Sequence, residues 1–325
     1  MKRQKKIHIP MLRFIVILIV VAMFVTIGIL QPAYYKPQNL LTIVNSIPGR
    51  GILAFGFTFV LISGGIDLSV GYGMTLTIMM MGVALNAGLS AFVACIIAIL
   101  TGLAIGVING LLITMTQIPP FIVTLATMEG CQGLVNLLFI PNIKLKQSIF
   151  QAIGYGTIGN VPISVLIMVA CFLLALLLLK HTKMGTYTYA IGSNKKNARV
   201  AGLNVRLYET LVYVISGLCM GISGIIFSSR VATIQKTTGG NGVLMDVVTA
   251  AVLGGNVVAG EGGILGSMIG IVLLQMLSSG LVLFNVSGDI QDVIKGALII
   301  TGLVIINVMK KHQSSSAALI KGVKK

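Results

Sequence analysis

Tryptophan is missing from this chain, charge is scarce, and acid is scarcer still. Only 9% of the 325 residues are charged, and Asp and Glu together number 7 against 23 Lys and Arg. A soluble domain carries about 25% charged residues. With 56% of the residues hydrophobic, a soluble core could not hide the apolar surface, so lipid must be the solvent for most of it. The shortage of acid leaves a formal net charge of +16. These cations cluster at the ends of apolar runs, with no basic groove interleaved with aromatics. They read as positive-inside bias and attraction to lipid headgroups, and point away from nucleic acid. Without tryptophan, an interfacial belt rests on tyrosine, and Tyr34, Tyr35, Tyr187, Tyr189 and Tyr208 do fall near predicted span ends. Cys95, Cys131, Cys171 and Cys219 sit inside apolar runs with no Cys or His at metal spacing, so they read as small hydrophobic fillers. There is no Ser–His–carboxylate set and no phosphate-cradling loop with its Lys. His8, His181 and His312 lie at span edges. The chain is therefore expected to be no enzyme and to bind no metal or cofactor. If ATP drives it, another chain must hold the ATP and its Mg.

What is present is a series of apolar segments bounded by Gly, Pro or charge. They fall at 11–30, 48–63, 70–88, 91–116, 119–139, 161–180, 207–229, 243–258, 262–285 and 289–309. This predicts an all-α integral membrane protein, a polytopic bundle of about ten transmembrane helices. The first run follows Lys2, Arg3, Lys5 and Lys6 and ends at Gln31-Pro32 with no small-residue cleavage site, so it reads as an uncut span. The layout is a basic tail at 1–10, a transmembrane domain at 11–310 with a polar loop at 181–206, and a basic tail at 311–325.

Ten spans with the N-terminus inside place both tails and the 181–206 loop in the cytoplasm. No Asp or Glu lies between Glu129 and Glu209, and the loop region carries Lys180, Lys183, Lys195, Lys196, Arg199 and Arg206. Outside fall Lys36, Arg50, Lys144, Lys146, Arg230, Lys236 and Lys295, fewer than half as many cations as inside. Short Lys- and Arg-rich loops stay cytoplasmic. Gly102, Gly106 and Gly110 recur at four-residue spacing, as do Gly262, Gly266 and Gly270. Such runs let helices approach closely, and two of them on oppositely directed spans hint at an inverted internal repeat.

Polar residues inside apolar runs mark candidate solute contacts. Gly64-Gly65 breaks the chain between the second and third spans, and Asp67 follows where an N-cap belongs. Glu129, Gln132 and Asn136 share one helical face near the middle of the fifth span, a stripe expected to face the bundle interior. It serves either as hydrogen-bonding glue between helices or as a polar wall of a path for a hydroxyl-rich solute. Asp246 opens the eighth span, where the helix dipole favours acid. With Asn109, these are the candidate path residues. In the basic loop, Ser193 or Asn194 can cap a short helix that Gly202 ends. At about two turns it is too short to stand alone in water, and Lys195 and Lys196 sit in its first turn, where the dipole prefers anions. Both facts predict stabilisation from outside, by lipid headgroups or an acidic groove on a partner.

Several stretches together resemble one known family. They are G-G-I-D-L-S-V-G at 64–71, I-N-G-L-L-I at 108–113, P-P-F-I-V-T-L-A-T-M at 119–128, Y-A-I-G-S-N at 189–194, A-R-V-A-G-L-N-V at 198–205, D-V-V-T-A-A-V-L-G-G at 246–255 and Ile294-Lys295-Gly296. In this order they are similar to the membrane permease subunits of ABC-type simple-sugar importers, the group serving ribose, xylose, arabinose, galactosides and autoinducer-2. The resemblance implies that 185–202 docks into a cytoplasmic ATPase, through Gly185, Tyr189, Gly192, Asn194, Lys195, Lys196, Arg199 and Gly202. It further implies two permease subunits, the same or homologous, around one path in the bacterial inner membrane, and an extracytoplasmic solute-binding protein. The chain departs from the family's usual pattern at Thr186, Ser193 and Lys196, and at Glu129 and Gln132. The competing readings are a secondary transporter, with Glu129 carrying a proton or Na⁺, and an integral membrane enzyme.

Overall fold

The computed structural model describes residues 9–140, 143–236, 238–256 and 260–304; the expected basic tails fall almost wholly outside them. The chain order is α1 (Ile9–Leu30), a 3-10 turn (Pro32–Tyr35), α2 (Pro37–Ile62), α3 (Val70–Asn86), α4 (Ala91–Thr116), α5 (Pro120–Leu138) and α6 (Ser148–Tyr155). A hairpin of β1 (Thr157–Ile158) and β2 (Val161–Pro162) follows. Then come α7 (Ile163–His181), α8 (Lys183–Ser193), α9 (Lys195–Val200), α10 (Val205–Val231), α11 (Gly240–Leu253) and α12 (Ile264–Leu283). A last helix, α13, covers 288–304. Among the described residues, 6 helices are long and apolar enough to cross a membrane: α2, α4, α5, α7, α10 and α12. Val21–Leu30, α3 and α11 are shorter apolar helices. The protein is thus a polytopic all-α membrane bundle.

Three expectations are corrected. The second span begins at Pro37, not at 48, and Pro48 lies inside it. Its first turns hold Gln38, Asn39, Thr42, Asn45 and Ser46, which hide the helix from a hydropathy reading. They are accommodated by tertiary bonds: Asn39 Nδ2 donates to the Tyr34 carbonyl at 2.9 Å, and Ser279 Oγ donates to Asn39 Oδ1 at 2.8 Å. The 140–160 segment, whose Gly and polar content predicts an external loop, contains α6 and the start of the hairpin. Phe150 is fully buried there, and a Cβ at Gly154 would lie 2.3 Å from the Ser229 carbonyl oxygen. The eighth helix is Gly240–Leu253 and not 243–258, and two glycines follow it, the second, Gly255, at φ +74°.

The most extensive helix contact among the described residues is α4 against α10. A Cβ on Gly102 would sit 2.2 Å from the Gly217 carbonyl oxygen, and one on Gly217 would sit 2.2 Å from that of Gly102. A Cβ on Gly106 would meet the Tyr213 carbonyl oxygen at 2.3 Å, and one on Gly110 would meet Thr210 at 2.9 Å. The atoms met are mostly backbone, which cannot swing aside. Hydrogen bonding along the seam adds to this, with Thr210 Oγ1 donating to the Gly110 carbonyl at 3.3 Å. Without a hydrophobic drive between helices in lipid, such close approach supplies the dispersion and polar contacts that hold them. The second glycine run behaves differently. Gly266 and Gly270 face the Gly254 and Ala250 carbonyls of neighbouring α11, while Gly262 precedes α12 at φ +116°. One run pairs distant helices and the other pairs sequence neighbours, so the two are not equivalent.

Asp246 does not act as a helix-start acid. It lies in the second turn of α11 and is buried between cations from two other helices. Arg50 Nε of α2 donates to Asp246 Oδ2 at 2.7 Å, and Lys295 Nζ of α13 lies 2.9 Å from Asp246 Oδ1. Lys295 also reaches Asp292 at 3.0 Å, and the Arg50 guanidinium stacks 5.2 Å from the centre of the Phe227 ring. Arg50 and Lys295 are therefore not outer-loop cations. They sit inside helices because a buried carboxylate there needs them.

Two outcomes check these contacts. Gly217→Val should destabilise the protein by about 1–3 kcal/mol through overpacking, seen as a lower thermal midpoint in detergent. Gly133→Ala, where nothing lies within 4 Å of the added carbon, should keep the wild-type midpoint; equal midpoints for both would contradict the seam. Asp246→Asn takes the buried carboxylate from two half-buried cations and should cost up to about 3–5 kcal/mol, seen as lost folded yield. Adding Arg50→Met should restore part of that yield.

Candidate functional site

The break between α2 and α3 is a hub of buried polar groups. Gly64 takes φ +91°, which turns the chain after α2. Asp67 is fully buried. Its Oδ1 accepts from the Ser69 N–H at 3.0 Å and from Ser69 Oγ at 2.6 Å, and its Oδ2 accepts from Ser216 Oγ of α10 at 2.8 Å. The N-cap position of α3 is Ser69, so Asp67 closes a turn onto the cap residue and is not the cap itself. Asn109 of α4, also fully buried, donates from Nδ2 to Ser69 Oγ at 2.9 Å. Thr127 of α5 donates from Oγ1 to Asn109 Oδ1 at 2.6 Å. The chain Thr127–Asn109–Ser69–Asp67–Ser216 thus joins α5, α4, the break and α10. Thr124 adds a bond from Oγ1 to the Ile66 carbonyl at 3.1 Å. Asp67 and Asn109 come together as the structure's internal fastening. Ser69 and Thr127 lie within the motif stretches 64–71 and 119–128, whereas nothing in the linear pattern points to Ser216.

The fastened side of α5 determines what its other side shows. Thr124, Met128, Cys131 and Val135 are buried. Residues two apart on a helix point about 200° apart, so Glu129 emerges opposite Thr127. Glu129 and Asn136 are exposed and Gln132 is half-buried. The three share a stripe as expected, but it faces out of this chain's own bundle and not into it. The correction has a plain cause: periodicity tells which residues share a face and not which way the face points. Beside the stripe, a Cβ on Gly130 or Gly133 would meet nothing within 4 Å. Glu129 lies near the middle of a 19-residue helix. A carboxylate facing lipid at that depth costs about 2.5–3.5 kcal/mol on insertion scales and more by simulation. This face is therefore built to meet water or protein.

The basic loop folds into two helices, where sequence alone indicated one. Asn194 caps α9, its Oδ1 accepting from the Asn197 N–H at 2.9 Å, and Gly202 leaves the helix at φ +82°. The preceding α8 lies against the bundle. A Cβ on Gly185 would overlap the Leu179 carbonyl, and one on Gly192 would overlap that of Ile62. Tyr189 donates from its hydroxyl to the Gly262 carbonyl at 2.8 Å. Tyr187 and Tyr208 pack edge to face at 4.7 Å. Lys195 lies 2.6 Å from Glu209 Oε2 of α10. Stabilisation of the short helix therefore comes partly from within the chain: this ion pair, and a small cluster of Ile191, Ala198 and Val205. Gly185, Tyr189 and Gly192 anchor the element, whereas Lys196, Arg199 and Val200 are exposed on α9, with Val200 at 83%. Among the described residues no group of three or more His, Cys, Asp and Glu could hold a metal ion.

The arrangement, a lipid-facing bundle with an anchored basic element at one end, has known relatives. The family described as branched-chain amino acid transport system / permease component matches residues 39–303. A ribose import permease protein of Bacillus subtilis is 35% identical over 315 residues, covering 93% of this chain and 95% of the relative. The ribose import permease protein of Escherichia coli K12 is 34% identical, covering 88% of this chain and 92% of its own length. An autoinducer 2 import system permease protein of Yersinia enterocolitica is 32% identical, covering 89% of this chain and 80% of its own length. No solved structure matches. The chain therefore belongs to this transport-system permease-component family, in the company of sugar-import permeases: it is the multi-pass inner-membrane subunit of an ABC-type importer and not itself catalytic.

Proposed function

We propose that this permease translocates a simple sugar or a related polyhydroxylated solute: a ribose-like pentose, a galactoside or a sugar signal. An extracytoplasmic binding protein delivers the solute, and cytoplasmic ATPase subunits holding ATP and Mg drive its passage. The relatives' names, ribose import permease and autoinducer 2 import permease, support the solute class. The family membership counts against the secondary transporter.

The observation that carries the reading of the loop is the division of labour within 181–206. Gly185, Tyr189 and Gly192 lock α8 to the bundle, while α9 presents an apolar Val200 beside Lys196 and Arg199 to water. An exposed apolar tip ringed by cations fits a shaped groove with acidic walls on a partner. Because Lys195 is engaged by Glu209, the docking charges are Lys196 and Arg199. A pull on α9 would pass through α8 to α2 and the 260–263 turn, since the Gly260 N–H donates to the Ile62 carbonyl at 3.1 Å.

Orientation and assembly follow in the same reading. With Arg50 and Lys295 withdrawn into ion pairs, loop cations favour a cytoplasmic 181–206 more strongly, with both termini on the same side. About ten spans satisfy this. The α5 stripe needs an aqueous or protein neighbour, which a second copy or a homologous permease supplies by enclosing the path between the two.

The test is association with the ATPase. Lys196→Glu with Arg199→Glu should lower the co-purifying ATPase about tenfold while the amount of inserted permease holds. Undiminished co-purification would remove α9 from the docking role. Val200→Asp should act in the same direction.

A further inference from the structure

We infer that Glu129 sets the charge selectivity of the translocation path, admitting neutral and cationic polyhydroxylated solutes and rejecting anionic ones such as sugar acids and sugar phosphates. This rests on the proposed path along α5 and adds to it a rule for which solutes pass.

Glu129 is exposed and takes part in none of the ion pairs or side-chain hydrogen bonds among the described residues. The other buried or mid-span carboxylates are all neutralised or fastened: Asp67 by serines, Asp246 by Arg50 and Lys295, Glu209 by Lys195. Glu129 alone among them is left unanswered. Its helix carries no Lys, Arg or His, so nothing on α5 offsets the charge. The outward side of neighbouring α4 offers Leu100, Val107, Ile108 and Leu111, all apolar. Gly130 and Gly133 leave open space beside the carboxylate, so no side chain screens it from a passing solute.

A fixed charge in a narrow passage with low-dielectric walls focuses potential and raises the local concentration of opposite charge. A second copy of the chain would bring a second carboxylate to the same passage. Gln132 and Asn136, on the same stripe, offer neutral donors and acceptors that suit hydroxyl groups without favouring either charge. The position thus filters by charge and leaves recognition of the hydroxyl pattern to others.

The experiment places reporters on the stripe. Gln132→Cys and Asn136→Cys are made in the full chain, assembled with its ATPase in membrane vesicles. Each is treated with a cationic and an anionic methanethiosulfonate of similar size, and the unsubstituted chain, whose cysteines are buried or half-buried, serves as the blank. Residues three apart on a helix have Cβ atoms about 5–6 Å apart. At that range even water-like screening separates opposite reagents by about tenfold. The cation-to-anion rate ratio at Gln132→Cys should therefore fall about tenfold when Glu129→Gln is added, and Glu129→Asp should keep it high. Variants are compared at equal amounts of ATPase-bound permease, which removes misfolded protein from the comparison. Labelled reporters whose ratio ignores Glu129→Gln would overturn the charge filter and leave the path standing. Reporters that neither reagent reaches would overturn the path along α5, and this inference with it.

Discussion

A charged group that leaves water must be answered by another polar group, and in lipid the answer has to come from the protein itself. This constraint organises the molecule. The chain has 7 acidic residues, and three buried ones define its polar architecture. Asp67 gathers hydroxyls from the break and α10, Asp246 draws cations from α2 and α13, and Glu209 draws Lys195 from α9. The first two join elements far apart in the chain, and the third ties α9 to the helix that follows it. The apolar helices supply bulk and length, and the satisfied carboxylates fix which helices sit beside one another. Such contacts specify arrangement more than they add net stability, because desolvation offsets much of the attraction.

The same constraint separates the parts of the chain that were legible in sequence from those that were not. The long apolar helices α4, α7 and α12 stand out by hydropathy alone, close to their observed bounds. The start of α2 does not, because its amides and hydroxyls are paid for in tertiary hydrogen bonds that no linear window contains. Arg50 and Lys295 misled the outer charge tally for the same reason: a count along the chain treats every cation as solvated, and these two are partners of Asp246. For Asp67 the turn was legible from Gly64-Gly65, but Ser216 lies 149 residues away. The α5 stripe was recognised as a face while its direction was reversed, because direction depends on Thr124 and Thr127 finding partners on other elements.

The basic element shows how one short segment can be both rigid and available. Glycines let α8 lie directly on the carbonyls of α2 and α7, and Asn194 and the Lys195–Glu209 pair hold α9 in shape. What remains exposed is small: Val200 and its flanking cations. A helix of 6 residues would not persist by propensity alone, so its order is borrowed from the bundle. A partner meeting it then spends little on ordering the segment.

The seam between α4 and α10 also bears on how the protein is made. Gly110 and Thr210 are 100 residues apart, and at about 5–20 residues per second that separation is roughly 5–20 s of synthesis. For that interval α4 exists without α10, and its glycine face lacks the partner that fits it. The intervening α7 is lined with bulky leucines, which cannot enter a slot shaped for a glycine. Leaving side chains off α4 and α10 thus makes the pairing selective, because a leucine-faced helix such as α7 cannot approach α4 as closely as α10 does.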